Sequence, residues 1–158
     1  MTSLALLIAF GMRCLLIVLF LPFSALDKIL NFSGSVKQAG EVVSSISVAR
    51  ALIVTGLFVE IVMSLGVVTG VADRLAAFVL AGYSGTTALL WKPFWKPGDF
   101  FVHGNSKARD LFWDFLKNFS LAGGFLLVTF GTNASAVQAF LAHPTASSHP
   151  YRLEAPVQ

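Results

Sequence analysis

The sequence predicts an all-α integral membrane protein built as a bundle of four transmembrane helices. Of its 158 residues, 56% are hydrophobic and only 12% are charged, whereas a soluble domain carries about 25% charged residues. The mean hydropathy is +0.77, which is more apolar surface than a water-soluble domain of this length could hide. The apolar residues fall into four runs long enough to cross a bilayer as helices. Helices are required because lipid offers the backbone no hydrogen-bond partner.

The four predicted spans cover residues of about 4–23, 51–69, 75–91 and 119–141. We interpret the first run as a membrane helix rather than a signal peptide, because no side-chain charge precedes Arg13. An amphipathic interfacial segment is expected between the third and fourth spans, where charged and aromatic residues alternate over 106–117. Residues 1–141 thus form the predicted membrane domain, and residues 142–158 form a proline-containing extended tail.

The distribution of basic residues predicts the orientation in the membrane. The connections after the first and third spans hold eight Lys and Arg residues, whereas the short turn after the second span and the tail hold two. The positive-inside rule makes the first and third connections cytoplasmic and puts both termini outside. We expect a multi-pass protein of a bacterial-type inner (plasma) membrane, with the lipid bilayer as a partner. No recognition motif accompanies the basic residues, so nucleic acid is not expected as a partner.

Two charged residues inside the predicted spans, Arg13 and Glu60, are the most informative candidate site residues. Each lies about nine residues into its span, and the two spans are antiparallel, so both charges fall near mid-membrane. Such residues usually face the bundle interior, because an unpaired charge in lipid is costly. We predict that Arg13 and Glu60 are near neighbours, paired directly or through water. Two interpretations stay open: an ion pair that only fixes helix register, and a polar pocket for a headgroup, a quinone or a small polar ligand.

Three further polar residues are candidates for the same buried polar pocket. Lys28 follows Arg13 by fifteen residues and lies about 60° from it around a helix. Tyr83 is a polar ring within the third span, and Asn118, at the entry to the fourth span, falls on the same membrane side as Lys28. Each has an ordinary alternative: a snorkelling lysine, a packed tyrosine with one hydrogen bond, and a residue at the span boundary.

Several kinds of chemistry are excluded by the residues that the chain lacks. Cys14 is the one cysteine, so neither an intrachain disulfide nor a cysteine-rich metal site within the chain is possible. The three histidines lie outside the predicted spans, so bis-histidine haem ligation in the bundle is not supported. There is no P-loop, dinucleotide fingerprint or zinc-protease motif. We therefore expect no metal site, no catalytic set and no cofactor bound by the chain's own side chains.

Four short segments, in order along residues of about 10–131, resemble the pattern of the DoxX family. They are Arg13 with the 24–28 exit of the first span, 56–60 followed by Gly66, the 73–77 turn, and 117–124 at the entry to the fourth span. The resemblance implies a DoxX-like small four-helix membrane protein. It also implies a link to quinol oxidases, to thiosulfate:quinone oxidoreduction and to redox-stress complexes of bacterial membranes.

Three functions stay open from these observations. The first is an accessory or membrane-anchor subunit of a membrane-bound oxidoreductase complex, with a pocket that admits a quinone or a lipid, electrons supplied by a partner and no catalysis by the chain alone. The second is a small-molecule or lipid-binding membrane carrier. The third is a purely structural assembly subunit of a larger membrane complex. The expected protein-partner surfaces are loop 92–118 and the tail 142–158, where aromatic and charged residues mix as in wet interfaces.

Overall fold

The computed structural model describes residues 2–152, and all regular secondary structure in that range is helical. In chain order the elements are α1 (Thr2–Ile17), a π-helical segment (Leu19–Ser24), α2 (Ala25–Leu30), α3 (Phe32–Ala39), α4 (Ile46–Thr69), α5 (Asp73–Trp91), α6 (Lys107–Phe130) and α7 (Ala134–Ala142). The helices long and apolar enough to cross a membrane are Ser3–Leu30, Ile46–Thr69 and Lys107–Phe130. The all-helical prediction is confirmed for the described residues, and three such helices are consistent with a multi-pass membrane protein.

The first apolar stretch contains a kink at its proline. Leu21 has extended backbone angles (φ −121°, ψ 112°) inside the π-helical segment, as expected for a residue that precedes proline. The Leu21–Pro22 peptide bond is cis. Helical structure continues beyond the kink into α2, so Ser24 and Lys28 belong to a helical segment with a different direction from α1.

The connection expected over residues 24–50 is largely helical rather than an open loop. α2 and α3 occupy most of it, and α4 begins before its end. α3 packs against α4 through Val36, Ala39 and Ala49, none of which is more than 5% exposed. The small side chains at this contact allow the two helices to approach closely.

The centre of the molecule is formed by α4, α5 and α6, with the kinked segment packed against them. α5 packs most extensively against α6 and then against α4. Val67, Leu80 and Phe125 are fully buried in this core, and Phe20 reaches it from the kinked segment. α5 is helical over the whole of the predicted third span, 75–91.

The structure corrects the bounds of the fourth predicted span. α6 is one continuous helix, so the expected interfacial segment 106–117 is its N-terminal half and not a separate element. Ser106 caps this helix by accepting a hydrogen bond from the backbone N–H of Arg109 at 3.2 Å. Gly131, with φ +65°, ends α6, and α7 covers the rest of the predicted span.

The tail begins after α7. Residues 143–152 contain turns and no helix, and backbone hydrogen bonds close two of the turns, Ala146 N–H to the His143 carbonyl and Arg152 N–H to the His149 carbonyl. The remainder of the predicted tail, 153–158, lies outside the described residues.

Candidate functional site

Two groups of polar side chains lie in the interior of the helices. We call them the Glu60 cluster (Ser24, Lys28, Glu60 and Tyr83) and the Arg13 cluster (Arg13, Asp73 and Ser148, with the Val67 carbonyl). The predicted pairing of Arg13 with Glu60 is wrong, because Arg13 pairs with Asp73 and Glu60 pairs with Lys28. Along α4, Glu60 and Val67 are seven residues apart, so the two clusters contact this helix about 10 Å apart along its axis.

The Glu60 cluster converges on one carboxylate oxygen. Lys28 Nζ lies 2.7 Å from Glu60 Oε1, and the hydroxyls of Ser24 and Tyr83 each donate to the same oxygen at 2.9 Å. Lys28 Nζ also donates to Ser24 Oγ at 2.6 Å. The Glu60 side chain is only 1% exposed, and the Lys28 side chain is 17% exposed. The cluster therefore holds a buried negative charge with a cation at its more open side.

Three elements position the cluster. Ser24 and Lys28 are one helical turn apart, so they lie on one face beyond the kink and approach α4 together. Tyr83 extends from α5 across α4 at Gly56, where an added Cβ would lie 2.8 Å from the tyrosine hydroxyl. The ring of Tyr83 also makes an edge contact with Phe20, with centroids 5.9 Å apart. A larger residue at position 56 would therefore displace the Tyr83 hydroxyl from its present position.

The Glu60 cluster is incompletely satisfied. Glu60 Oε2 is buried and has no hydrogen-bond partner among the described residues, and the same is true of Ser64 Oγ. Ser64 follows Glu60 by one helical turn and is fully buried. Buried polar atoms in proteins are nearly always hydrogen-bonded, and a membrane interior offers no bulk water to replace a missing partner. Two polar atoms without partners in the described part of the chain therefore lie one turn apart on the same face of α4.

The Arg13 cluster has a different character. Arg13 Nη2 lies 2.7 Å from Asp73 Oδ2, and Arg13 Nη1 donates to the Val67 carbonyl at 2.6 Å. Asp73 is fully buried. Val67 is in the last turn of α4 and Asp73 is the first residue of α5. The cation therefore lies at a helix C-terminus and the anion at a helix N-terminus, where each complements the helix dipole and the free backbone groups.

The tail covers the Arg13 cluster. The backbone N–H of Ser148 donates to Asp73 Oδ1 at 2.8 Å, its hydroxyl donates to Asp73 Oδ2, and Arg13 Nη2 donates to that hydroxyl at 3.0 Å. The Tyr151 hydroxyl donates to the Val68 carbonyl, another free carbonyl of the last turn of α4. Gly70, with φ +79°, allows this approach, because an added Cβ would lie 3.0 Å from the ring of Pro150.

Of the five predicted pocket residues, the structure brings three together. Glu60, Lys28 and Tyr83 share one cluster, whereas Arg13 belongs to the other. Asn118 is in neither cluster and donates instead to the Asp114 carbonyl within α6 at 3.0 Å.

Sequence reasoning missed Asp73, Ser148 and Ser64. Asp73 belongs to the 73–77 turn, and a carboxylate directly after a predicted membrane span is the signal that could have identified it. Ser148, by contrast, is 135 residues from Arg13 along the chain. No local pattern marks either Ser148 or Ser64.

Loop 92–106 is ordered around the start of α6. The Asp99 carboxylate accepts hydrogen bonds from the backbone N–H groups of Lys107 and Ala108 at 2.8 and 3.0 Å. The hydrogen bond from Ala108 is the main reason that the pKa of Asp99 lies below its usual value. The Arg109 guanidinium donates to the carbonyls of Phe100, Val102 and Gly104.

Large aromatic side chains remain on the surface of the predicted partner segment 92–118. Phe101 is 93% exposed, and Trp95 and Trp113 are both more than half exposed. Phe94, in contrast, makes edge contacts with Phe112 and Phe115 at centroid distances of 5.1 and 5.2 Å. The loop is therefore a folded aromatic surface with several uncovered rings.

Among residues 2–152, no group of three or more His, Cys, Asp or Glu side chains is arranged to hold a metal ion. Cys14 is a free thiol. No protein-family model, curated protein or solved structure matches the chain. The DoxX pattern stays a resemblance in the residues named above.

Proposed function

We propose that the chain is a four-span accessory or membrane-anchor subunit of a membrane-bound oxidoreductase complex, and that its Glu60 cluster receives the polar head of a quinone. The observation that carries the proposal is the buried, unpartnered Oε2 of Glu60 beside the Lys28 ammonium. The resemblance to DoxX proteins supports the same assignment, because that family is linked to quinone-dependent membrane enzymes.

The proposal includes α5 as the fourth membrane span. α5 has 19 residues, which is about the length that crosses the hydrocarbon core. It packs against both α4 and α6, and Ala77, Leu80 and Ala88 on it are fully buried. Its two charged residues are both in the first turn, where Asp73 pairs with Arg13 and Arg74 donates to the carbonyls of Thr129 and Ala136. These pairings lower the cost of a helix that starts with two charges.

The donors and acceptors of the cluster fit a quinone head in both of its redox forms. Glu60 Oε1 is already held by three donors, so Oε2 is the oxygen left to accept a hydrogen bond from a hydroxyl. The Lys28 ammonium has three donors, of which two are used by Ser24 and Glu60. The third is available to a carbonyl oxygen. A bound quinone would supply the capacity to carry electrons and protons; the chain's own residues would orient its head and exchange a proton at Glu60.

Electrons would come from a partner protein, since the chain has one cysteine and no histidine in its predicted spans. The exposed aromatic surface of loop 92–118 is the proposed contact. Phe101, Trp95 and Trp113 are rigid side chains of the kind enriched at protein interfaces. The tail 142–158 was the second predicted contact, but its described part binds the chain's own Arg13 cluster.

A lipid-binding carrier is the second candidate function, and the same orphan oxygen supports it. A lipid headgroup with hydroxyl or ammonium donors would satisfy Glu60 Oε2 as a quinol hydroxyl does. The two functions differ in the ligand that is extracted and in the need for a redox partner.

The test is to purify the chain from its native membranes in mild detergent and to identify bound quinones and lipids by extraction and mass spectrometry. Variants Glu60→Gln and Tyr83→Phe are compared with Asp27→Asn and Tyr151→Phe. Asp27 is an exposed carboxylate next to Lys28, and Tyr151 loses an equivalent hydrogen bond outside the cluster.

We expect quinone in the wild type and in both control variants, and its loss from both cluster variants. The absorption spectrum should also contain the bands of a co-purified haem, flavin or copper protein. Quinone retained in Glu60→Gln at the wild-type level would reject the site. A lipid bound in place of quinone, with no redox partner, would favour the carrier.

A further inference from the structure

A second candidate ligand site lies in the groove between α3 and the start of α4, away from both buried clusters. The groove has a volume of about 760 Å³, and its lining includes Lys37, Glu41 and Arg50 together with the apolar Phe32 and Ile46. Two basic residues against one acidic residue give the groove a net positive charge. Within the described residues, neither Lys37 nor Arg50 forms an ion pair.

Packing between α3 and α4 holds the backbone at the two basic residues. Val36 and Ala49, which directly precede Lys37 and Arg50, are buried in the contact between α3 and α4, at 5% and 0% exposure. Neighbouring residues on a helix point about 100° apart, so each basic side chain leaves the edge of this contact from its own helix. Both then line the same groove. Packing of Val36 against Ala49 therefore sets how far apart the two helices carry these basic residues.

The groove lies where α4 begins, and Ile46 is the first residue of this helix, which is long and apolar enough to cross a membrane. Ile46 and Phe32 are 58% and 37% exposed. Polar and basic groups thus adjoin exposed apolar side chains at the end of a span, which is the depth of the phospholipid headgroups. The hydroxyls of Ser33 and Ser44 also line the groove and are suitable donors to phosphate oxygens.

We propose that this groove binds an anionic glycerophospholipid, with its phosphate between Lys37 and Arg50 and its acyl chains over Phe32 and Ile46. The net positive charge of the groove favours an anionic lipid over a zwitterionic one. A zwitterionic lipid brings an ammonium that the basic pair repels, whereas a phosphatidylglycerol-type headgroup brings only negative charge. The exposed apolar side chains of Phe32 and Ile46 favour a lipid over free phosphate, because only a lipid has acyl chains to cover them.

The test uses the full-length protein, delipidated in detergent, and native mass spectrometry with phosphatidylglycerol or phosphatidylcholine of the same acyl chains. A basic residue near a lipid surface contributes about 1 kcal/mol, which corresponds to about a fivefold change in affinity. We expect phosphatidylglycerol binding to fall about fivefold in Lys37→Gln and in Arg50→Gln, and about 25-fold in the double variant. The charge-matched control, Lys96→Gln with Lys107→Gln in the other connection, should bind as the wild type does.

Glu41→Gln should change the affinity in the opposite direction, because removing the one acidic residue of the groove should strengthen phosphatidylglycerol binding. It also keeps the proposal testable if the double variant at Lys37 and Arg50 does not fold. Any one of three results would overturn the proposal. The protein could retain the two lipids equally, Glu41→Gln could leave the affinity for phosphatidylglycerol unchanged, or a folded double variant could bind phosphatidylglycerol as the control does. Displacement of the lipid by excess inorganic phosphate would likewise overturn the lipid as the occupant.

Discussion

The Glu60 cluster and the Arg13 cluster both contain a buried acid and a base, yet they differ in how completely they are satisfied. No buried side-chain atom of Arg13 or Asp73 lacks a hydrogen-bond partner, whereas Glu60 has one carboxylate oxygen with three donors and one with none. The Arg13 cluster also completes two helix ends. Evidence for a ligand therefore comes from the unsatisfied atom, and not from the presence of buried charge, which both clusters share.

This difference in hydrogen bonding indicates a structural role for the Arg13 cluster and a binding role for the Glu60 cluster. Arg13 ties the end of α4 to the start of α5, and Ser148 ties the tail to both. Removing either Arg13 or Asp73 leaves the other buried without its counter-charge, which costs stability. In the Glu60 cluster, the ion pair with Lys28 accounts for a carboxylate at this position but leaves Oε2 buried without a partner among the described residues. In the proposed function, the head of a ligand supplies that partner.

The largest expected effect is at Asp73. Asp73→Ala leaves the buried Arg13 guanidinium without its counter-charge and should lower the free energy of unfolding by roughly 3 to 5 kcal/mol. Chemical unfolding in detergent measures this loss. Replacing both partners, Arg13→Gln with Asp73→Asn, should recover a large part of it. A loss below about 1 kcal/mol in Asp73→Ala would show that the pair is not a structural clamp.

Glu60→Gln should destabilise the protein less than Asp73→Ala does. Lys28 keeps a path to the surface, since its side chain is 17% exposed, so the expected loss is about 1 to 3 kcal/mol. The exposed Asp27→Asn serves as the control and should be near neutral. If Glu60→Gln proved as costly as Asp73→Ala in the same unfolding assay, the two clusters would not differ in role.

Ser148→Ala should loosen the contact of the tail with the Arg13 cluster. It removes a donor to Asp73 and an acceptor for Arg13 while keeping the backbone bond. We expect a loss of about 0.5 to 1.5 kcal/mol and faster cleavage of the tail by added protease. Thr145→Ala in the same tail is the control. Equal cleavage rates in the two variants would contradict the contact.

Ser64→Ala should leave stability unchanged or raise it by up to about 1 kcal/mol, because the hydroxyl is buried without a partner. Ser84 provides the matched case, since it is equally buried but donates to the Leu80 carbonyl at 2.8 Å. Ser84→Ala should cost about 0.5 to 1 kcal/mol. The temperature of thermal unfolding measures both effects. If Ser64→Ala lowered this temperature more than Ser84→Ala does, Ser64 would already have a structural partner, such as a bound water.

The smallest effect is a pH dependence in loop 92–106. The pKa of Asp99 is lowered mainly by the hydrogen bond from the Ala108 N–H. A lowered pKa means that the ionised carboxylate stabilises the loop fully above the ordinary value of about 3.9. The stabilisation is lost as the pH falls through the lower, folded-state pKa. The protection of the Lys107 and Ala108 amides, measured against their intrinsic exchange rates at the same pH, should therefore fall at acid pH in the wild type and should not fall in Asp99→Asn.

How much the sequence could predict differs between the fold and the site. Composition and apolar runs identify membrane helices because lipid leaves the backbone no alternative to helix. The burial of Arg13 and Glu60 could be predicted because an unpaired charge in lipid is costly. Their partners could not be predicted, because pairing depends on the kink at Leu21 and on the rotation of each helix about its axis. Counting residues along straight helices includes neither. The contact of Ser148 with Asp73 joins residues 75 positions apart and has no local pattern.

The comparison of the two clusters is tested most directly by one paired measurement. Glu60→Gln and Asp73→Asn are purified in parallel, and each is assayed for its unfolding free energy and its content of bound quinone or lipid. We expect folded Asp73→Asn to keep the ligand but to be the less stable protein, and Glu60→Gln to keep more stability but to lose the ligand. Ligand retained in Glu60→Gln and lost from folded Asp73→Asn would contradict it.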